Sequence, residues 1–348
     1  MNVRKNGIEP PDREIRLLRR KLDRARAALG KTVSDKRESE LRQEVNDVTS
    51  RLGWTLCETE QYDEALTVYE TLDRSTHGED RYIGITRVLI ERERYEEAGE
   101  LLDEALERYP ESCCLMNNKG LLHYSSGDPY EALRWFDRAL THAEDEESMA
   151  AAFNRGLVLI ELGLYEDASI VYERLLEHDP RKPEYVYEYA YCNHKRGQLW
   201  EAIRLYRMCL QIGCETPGVY AGLCTAFGEA GLFAEGVVSG LHGLNKYPDV
   251  EAMYENLGEV YLDMGRLDDA EEVLTTGMGK FPESEAIQAL LDRLEQEREQ
   301  EREQEDDESE TNTHGRERCR RVKKEGPSEL SDDDLGTLLE EKRKTSWN

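Results

Sequence analysis

Apolar residues along this chain recur three and four positions apart, the spacing that gathers them on one side of a helix. In residues 12–29, Ile15, Leu18, Leu22, Ala25 and Leu29 share one face, and basic residues crowd the others. Asp12, directly after Pro11, suits a helix start. From 46 to 284 the same period is interrupted at intervals by turn residues, which predicts a succession of short amphipathic helices. Ile287, Leu290, Leu291 and Leu294 form one more stripe. The chain then enters EQEREQEREQEDDESE, which has no apolar residue. Glu295 to Arg298 and Glu299 to Arg302 are spaced for ion pairs along that helix.

The interruptions are periodic. EQYDEAL, ERYEEAG, GDPYEAL, GLYEDAS, GQLWEAI, GLFAEGV and GRLDDAE are variants of one phrase. Their small residue falls at Ala65, Ala98, Ala132, Ala168, Ala202, Gly236 and Ala270, in steps of 33, 34, 36, 34, 34 and 34. Each unit predicts two helices, with glycine accepting a left-handed turn between them in most. Small residues let the pair approach closely. One such pair cannot bury its apolar face alone, so the units must stack.

A 34-residue period with this content resembles the tetratricopeptide repeat. The seventh unit carries Tyr254, Leu257, Gly258, Tyr261, Gly265, Ala270, Leu274, Gly277 and Pro282. The fourth carries Gly156, Leu159, Gly163, Tyr165, Ala168, Tyr172, Leu175 and Pro180, and the second Ile85, Leu89, Tyr95, Ala98, Leu102, Ala105 and Pro110. The resemblance implies an all-α fold, a right-handed superhelical solenoid whose concave face is lined by the first helix of each unit. Seven units are expected, at 46–78, 79–112, 113–148, 149–182, 183–216, 217–250 and 251–284. Residues 1–45 are expected to be a basic segment with an amphipathic capping helix, 285–305 a capping and then exposed helix, and 306–348 a disordered charged tail. A helix that binds a partner or a membrane surface is the alternative for 12–29.

Charge sharpens this division. The chain has 75 acidic and 46 basic side chains, net −29. Residues 1–42 carry +6 and 306–348 carry −3, which leaves −32 on the body. Such a body repels nucleic-acid backbones and favours basic partners. No apolar run is long enough to span a bilayer, and no secretory signal is expected at the start. A cytoplasmic protein with reduced thiols is the expectation. Cys192, Cys209 and Cys224 occupy small-residue or mid-helix slots and read as buried hydrophobes, while the vicinal Cys113–Cys114 pair leaves a redox role open. In the tail, a basic cluster at Arg316, Arg318, Arg320, Arg321, Lys323 and Lys324 and a short apolar run at Leu335, Leu338 and Leu339 offer alternative partner motifs.

No phosphate-binding loop, dinucleotide fingerprint, zinc-protease motif or nucleophile elbow occurs. The histidines are scattered and no cysteines show zinc spacing. The chain is therefore read as non-enzymatic, with no catalytic, cofactor-binding or metal residues. Attention turns to the groove that the resemblance implies. The Lys and Arg of the chaperone-tail carboxylate clamp are missing, since the matching positions read Asn117, Leu121, Ala150 and Asn154. Asn118, Asn154 and Asn256 recur two residues before the glycine, in register for a ladder of amides along a peptide backbone, with Glu188 and Gly222 interrupting it. Asn117, Leu121, Tyr124, Phe153, Leu157, Tyr187, Tyr191 and His194 complete the expected binding surface. The expectation is an adaptor that takes a peptide or helix of another protein. The alternatives are a chaperone-like holder of basic clients, or a regulatory subunit acting through its charged tail, with nucleic acid as one candidate associate of that tail.

Overall fold

The computed structural model describes residues 11–31, 35–73, 77–142 and 146–303. All regular structure among them is helical. The expected tail at 306–348 lies outside the described residues. The chain divides into two compact units, Met1–Gly243 and Leu244–Asn348.

In the first unit, α1 (Pro11–Leu29) begins with Asp12 and Glu14 in its first turn, which complement the positive end of the helix dipole. It buries Ile15, Leu18, Leu22 and Ala25, the predicted stripe, and packs against α2 (Asp35–Glu58). Short antiparallel helices follow: α3 (Tyr62–Glu70), α4 (Gly78–Glu91), α5 (Tyr95–Arg108), α6 (Cys113–Ser125), α7 (Pro129–His142), α8 (Glu146–Glu161), α9 (Tyr165–His178), α10 (Pro183–Lys195), α11 (Leu199–Gln211), α12 (Pro217–Glu229) and α13 (Phe233–Lys246). Each even helix pairs with the odd helix after it through a three-residue turn. That turn requires one residue in the left-handed region. Gly127, Gly163, Gly197 and Gly231 supply it, but Glu60 (φ 61°) and Glu93 (φ 57°) do so in the first two pairs.

The even helices of this unit also touch one another in succession, from α2 to α12. Among the described residues the odd helices do not touch each other. The even helices therefore form the tighter inner layer.

The two layers are joined by an aromatic ring set on a glycine. A β-carbon at Gly120 would stand 2.5 Å from the Phe136 ring, and one at Gly156 would stand 2.6 Å from Tyr172. Tyr69 is wedged against glycines of two even helices, Gly53 of α2 and Gly84 of α4. The phrase residues Ala65, Ala98, Ala132, Ala168 and Ala202 are fully buried beside these rings. Cys192, Cys209 and Cys224 are buried as well, in keeping with small apolar roles. Helix α13 is continuous although Gly236, Gly240 and Gly243 lie on its buried side.

The second unit contains α14 (Glu251–Asp263), α15 (Leu267–Lys280) and α16 (285–303). Leu274 rests on Gly258 as the rings do in the first unit, and Gly265 makes the left-handed turn. Ile287 and Leu294 of α16 are buried. The expected Glu295–Arg298 pair gives way to a cross-helix one. Arg298 donates to Asp268 at 2.7 Å and lies 2.9 Å from Glu271, because docking of α16 brings α15 carboxylates within reach.

These joints predict opposite responses at two kinds of position. Gly156→Val forces the Tyr172 ring aside and should lower stability by about 2–3 kcal/mol in urea unfolding, with helical circular dichroism retained. Glu93→Gly relieves a left-handed backbone and should raise stability by about 0.5–1 kcal/mol in the same assay.

Candidate functional site

The slot two residues before the glycine has a structural task that the sequence spacing does not reveal. In the first unit it is filled by Gly84, Asn118, Asn154, Glu188 and Gly222, one on each even helix from α4 to α12. Where filled by Gly84 or Gly222, it receives a tyrosine ring from the preceding odd helix, Tyr69 or Tyr206. Where filled by asparagine, that odd helix carries Leu102 or Phe136 at the same register. Asn118 is only 3% exposed, and its amide donates to the Ile83 carbonyl at 2.9 Å and to Thr86 Oγ1 at 3.0 Å. The amide thus bolts α6 to α4, and its reading as a rung for a ligand backbone is corrected. Asn154 likewise reaches back, donating to Asn117 Oδ1 at 2.9 Å, but both residues stay half-buried. Asn256 is half-buried on α14 of the second unit.

The remaining predicted residues separate into two sets. Phe153 packs edge-on against Tyr172 and tilted against Tyr185, Tyr187 against Tyr206, and His194 edge-on against Tyr206. These three rings mainly hold helices together. Asn117, Leu121, Tyr124, Asn154, Leu157 and Tyr191 are half-buried on α6, α8 and α10, so part of each side chain stays exposed. The Tyr124 phenol is hydrogen-bonded to Glu161, which pushes it up to about 12. Tyr191 meets Tyr165 edge-on at 6.2 Å, and the Lys195 ammonium stands 5.5 Å above the Tyr191 ring.

Glu188 is the electrostatic outlier of this face. It is half-buried, and burial alone pushes its carboxyl up to about 7. It acts on the neighbouring Tyr172, Tyr187, Tyr191, Cys192 and Tyr206, all neutral at that pH. His194 is held below its ordinary value by burial, against the opposing pull of Glu229, whose carboxylate lies 3.3 Å away. Burial also pushes Cys192 up to about 12, so its thiol is unreactive.

In the sequence Glu188 registers only as a break in the amide series. A groove of about 500 Å³ beside α11, lined by Trp200, Arg207, Met208, Phe227 and Leu232, lies outside the expected surface. Trp200 is 70% exposed and Arg207 stacks over Phe227. The signal was present, since Trp200 falls outside the buried stripe of Ala202, Leu205, Tyr206 and Cys209. Among the described residues no group of side chains is arranged to hold a metal ion, and no helix is long and apolar enough to cross a membrane.

Models of the tetratricopeptide repeat match residues 111–181, 153–213 and 252–278. No curated protein matches the sequence. Among solved structures, PilF of Pseudomonas aeruginosa is 19% identical over 63% of this chain and 99% of its own, with a TM-score of 0.53. A chain of the Cut9–Hcn1 hetero-tetramer of the APC/C is 14% identical over 80% of this chain and 55% of its own, with a TM-score of 0.57. Likeness at these identities establishes the solenoid fold.

Two substitutions separate the bolt from the outlier. Asn118→Ala removes both hydrogen bonds from α6 to α4 and should cost about 1–3 kcal/mol at any pH near neutral. Glu188→Gln should do the reverse. The native carboxyl titrates higher than the unfolded one, so its destabilising effect is absent below about pH 4, grows as pH rises and is complete above about pH 7. The variant should exceed wild type by about 1–3 kcal/mol at about pH 8 and match it at about pH 4, in urea unfolding at both.

Proposed function

We propose that this tetratricopeptide-repeat protein is a non-enzymatic interaction scaffold that seats an extended or helical segment of a partner protein on the inner face of α6, α8 and α10. The observation that carries this reading is the run of half-buried Asn117, Leu121, Tyr124, Asn154, Leu157 and Tyr191 along three adjacent helices. Apolar and aromatic side chains there are incompletely covered, and the Asn117–Asn154 pair offers amide donors and acceptors beside them. Helices locked by ring-on-glycine joints present this surface without first having to be ordered, which lowers the entropic cost of binding. A groove read by apolar contacts and amides keeps its affinity as salt rises, whereas capture of basic clients by the acidic body alone does not.

The test uses the full chain and a displayed library of random peptides. Selected peptides should protect 117–124, 153–161 and 187–195 from hydrogen exchange. Leu157→Asp should weaken them about tenfold or more, and Trp200→Ala should leave them unchanged. Protection confined to 199–211 and 227–235 would transfer the function to the Trp200 groove. Binding abolished by moderate salt would support a holder of basic clients instead.

A further inference from the structure

We propose that the partner segment seated on α6, α8 and α10 presents an arginine or lysine side chain to the Glu188 carboxylate, beside the rings of Tyr187 and Tyr191. The inference rests on the groove reading above and names the chemistry that the groove selects.

From α4 to α14 the other occupants of the Glu188 slot are glycine or asparagine, both neutral, and only α2 carries a charge there, the cation Arg51. A carboxylate there is partly stripped of water. Such a group is costly unless a cation or hydrogen-bond donors compensate it. The titratable groups that its charge reaches are Tyr172 from α9, Tyr187, Tyr191 and Cys192 from α10 itself, and Tyr206 from α11. None of them is a cation. The cations on the adjoining stretches of α8 and α10 have other partners, and the Lys195 ammonium stands over the Tyr191 ring. Arg155 of α8 is paired with Asp137 at 2.6 Å, Arg196 at the C-cap of α10 with Glu166 at 2.5 Å, and His194 faces Glu229 of α12. Tyr172 and Tyr206 are sealed in the core, but Tyr187 and Tyr191 are only half-buried.

A carboxylate among tyrosine rings suits a guanidinium or ammonium, which gains ion pairing and cation–π attraction together. The Lys195 ammonium above Tyr191 shows that this ring already accepts a cation on its face. The negative body adds long-range attraction for basic segments. The high titration of Glu188 agrees with a charge that lacks its counter-ion.

The test begins from the peptides selected on the full chain and measures their affinities by fluorescence anisotropy. The expected result is a shared Lys or Arg position. Exchanging that residue for Gln should weaken binding about tenfold, Glu188→Gln should do the same, and both changes together should cost little more than either. Affinity for wild type should fall between about pH 8 and pH 6, as Glu188 takes up a proton, and Glu188→Gln should flatten that slope. His194 lies in the same region, so the slope is read as the difference between the two proteins. Glu188→Gln is expected to fold, with circular dichroism as the check. Peptides that protect 153–161 and 187–195 but share no basic position, or that ignore Glu188→Gln, would overturn the inference and leave the groove reading standing. Selection of peptides that protect neither segment, or of none at all, would overturn both.

Discussion

The closeness of two helix backbones governs this molecule. Helix α6 can meet α7, and α8 can meet α9, only because Gly120 and Gly156 have no side chain where Phe136 and Tyr172 lie. A ring pressed on bare backbone buries much apolar surface and fixes the spacing between the layers. From that spacing follows the reach of each odd helix to the next even helix, and so the succession of pairs. The burial of Ala65, Ala98, Ala132, Ala168 and Ala202 belongs to the same constraint, since a larger side chain would prise the layers apart.

The slot beside each joint shows how a structural position acquires chemistry. Glycine admits a tyrosine, and asparagine stitches one even helix to the one before it. A carboxylate does neither and stays partly dry without a counter-charge. The slot thus carries packing at Gly84 and Gly222, cohesion at Asn118, and electrostatic potential at Glu188. One place in the repeat serves three ends: the tyrosines of α3 and α11 lie on a glycine in the slot, whereas Tyr172 of α9 lies on Gly156 of α8 and leaves the next slot to Glu188.

Much of the architecture was legible in the sequence because it depends on spacing. The recurring small residue marks where helices touch, and glycine at 127, 163, 197, 231 and 265 marks the left-handed turns. Burial of α1 followed from its stripe. Features that depend on distances across the fold were not legible. Asn118 and a surface asparagine have the same spacing, and only the position of the Ile83 carbonyl tells them apart. Arg298 has a carboxylate three residues before it in sequence and better ones on α15. Glu60 and Glu93 hide a backbone geometry that the other turns announce with glycine. Glu188 reads as an interruption because its meaning lies in a half-buried carboxylate without an ion-pair partner, which no local pattern records.

The pairing of each slot with the helix before it gives the repeats a fixed order. Glu188 sits beside Tyr172, whose hydroxyl is turned to the Phe153 carbonyl at 3.4 Å, and Gly222 exists to admit Tyr206. Cutting out 149–182 would seat α10 on a pair built around Phe136, and exchanging the fifth and sixth units would set a tyrosine ring against a neighbour shaped for something else. Units that share a period are therefore not spare parts for one another. A lineage that lengthens this chain by copying a unit must also retailor the seams on both sides of the copy, so growth by duplication leaves a record in the slot residues rather than in the repeated phrase.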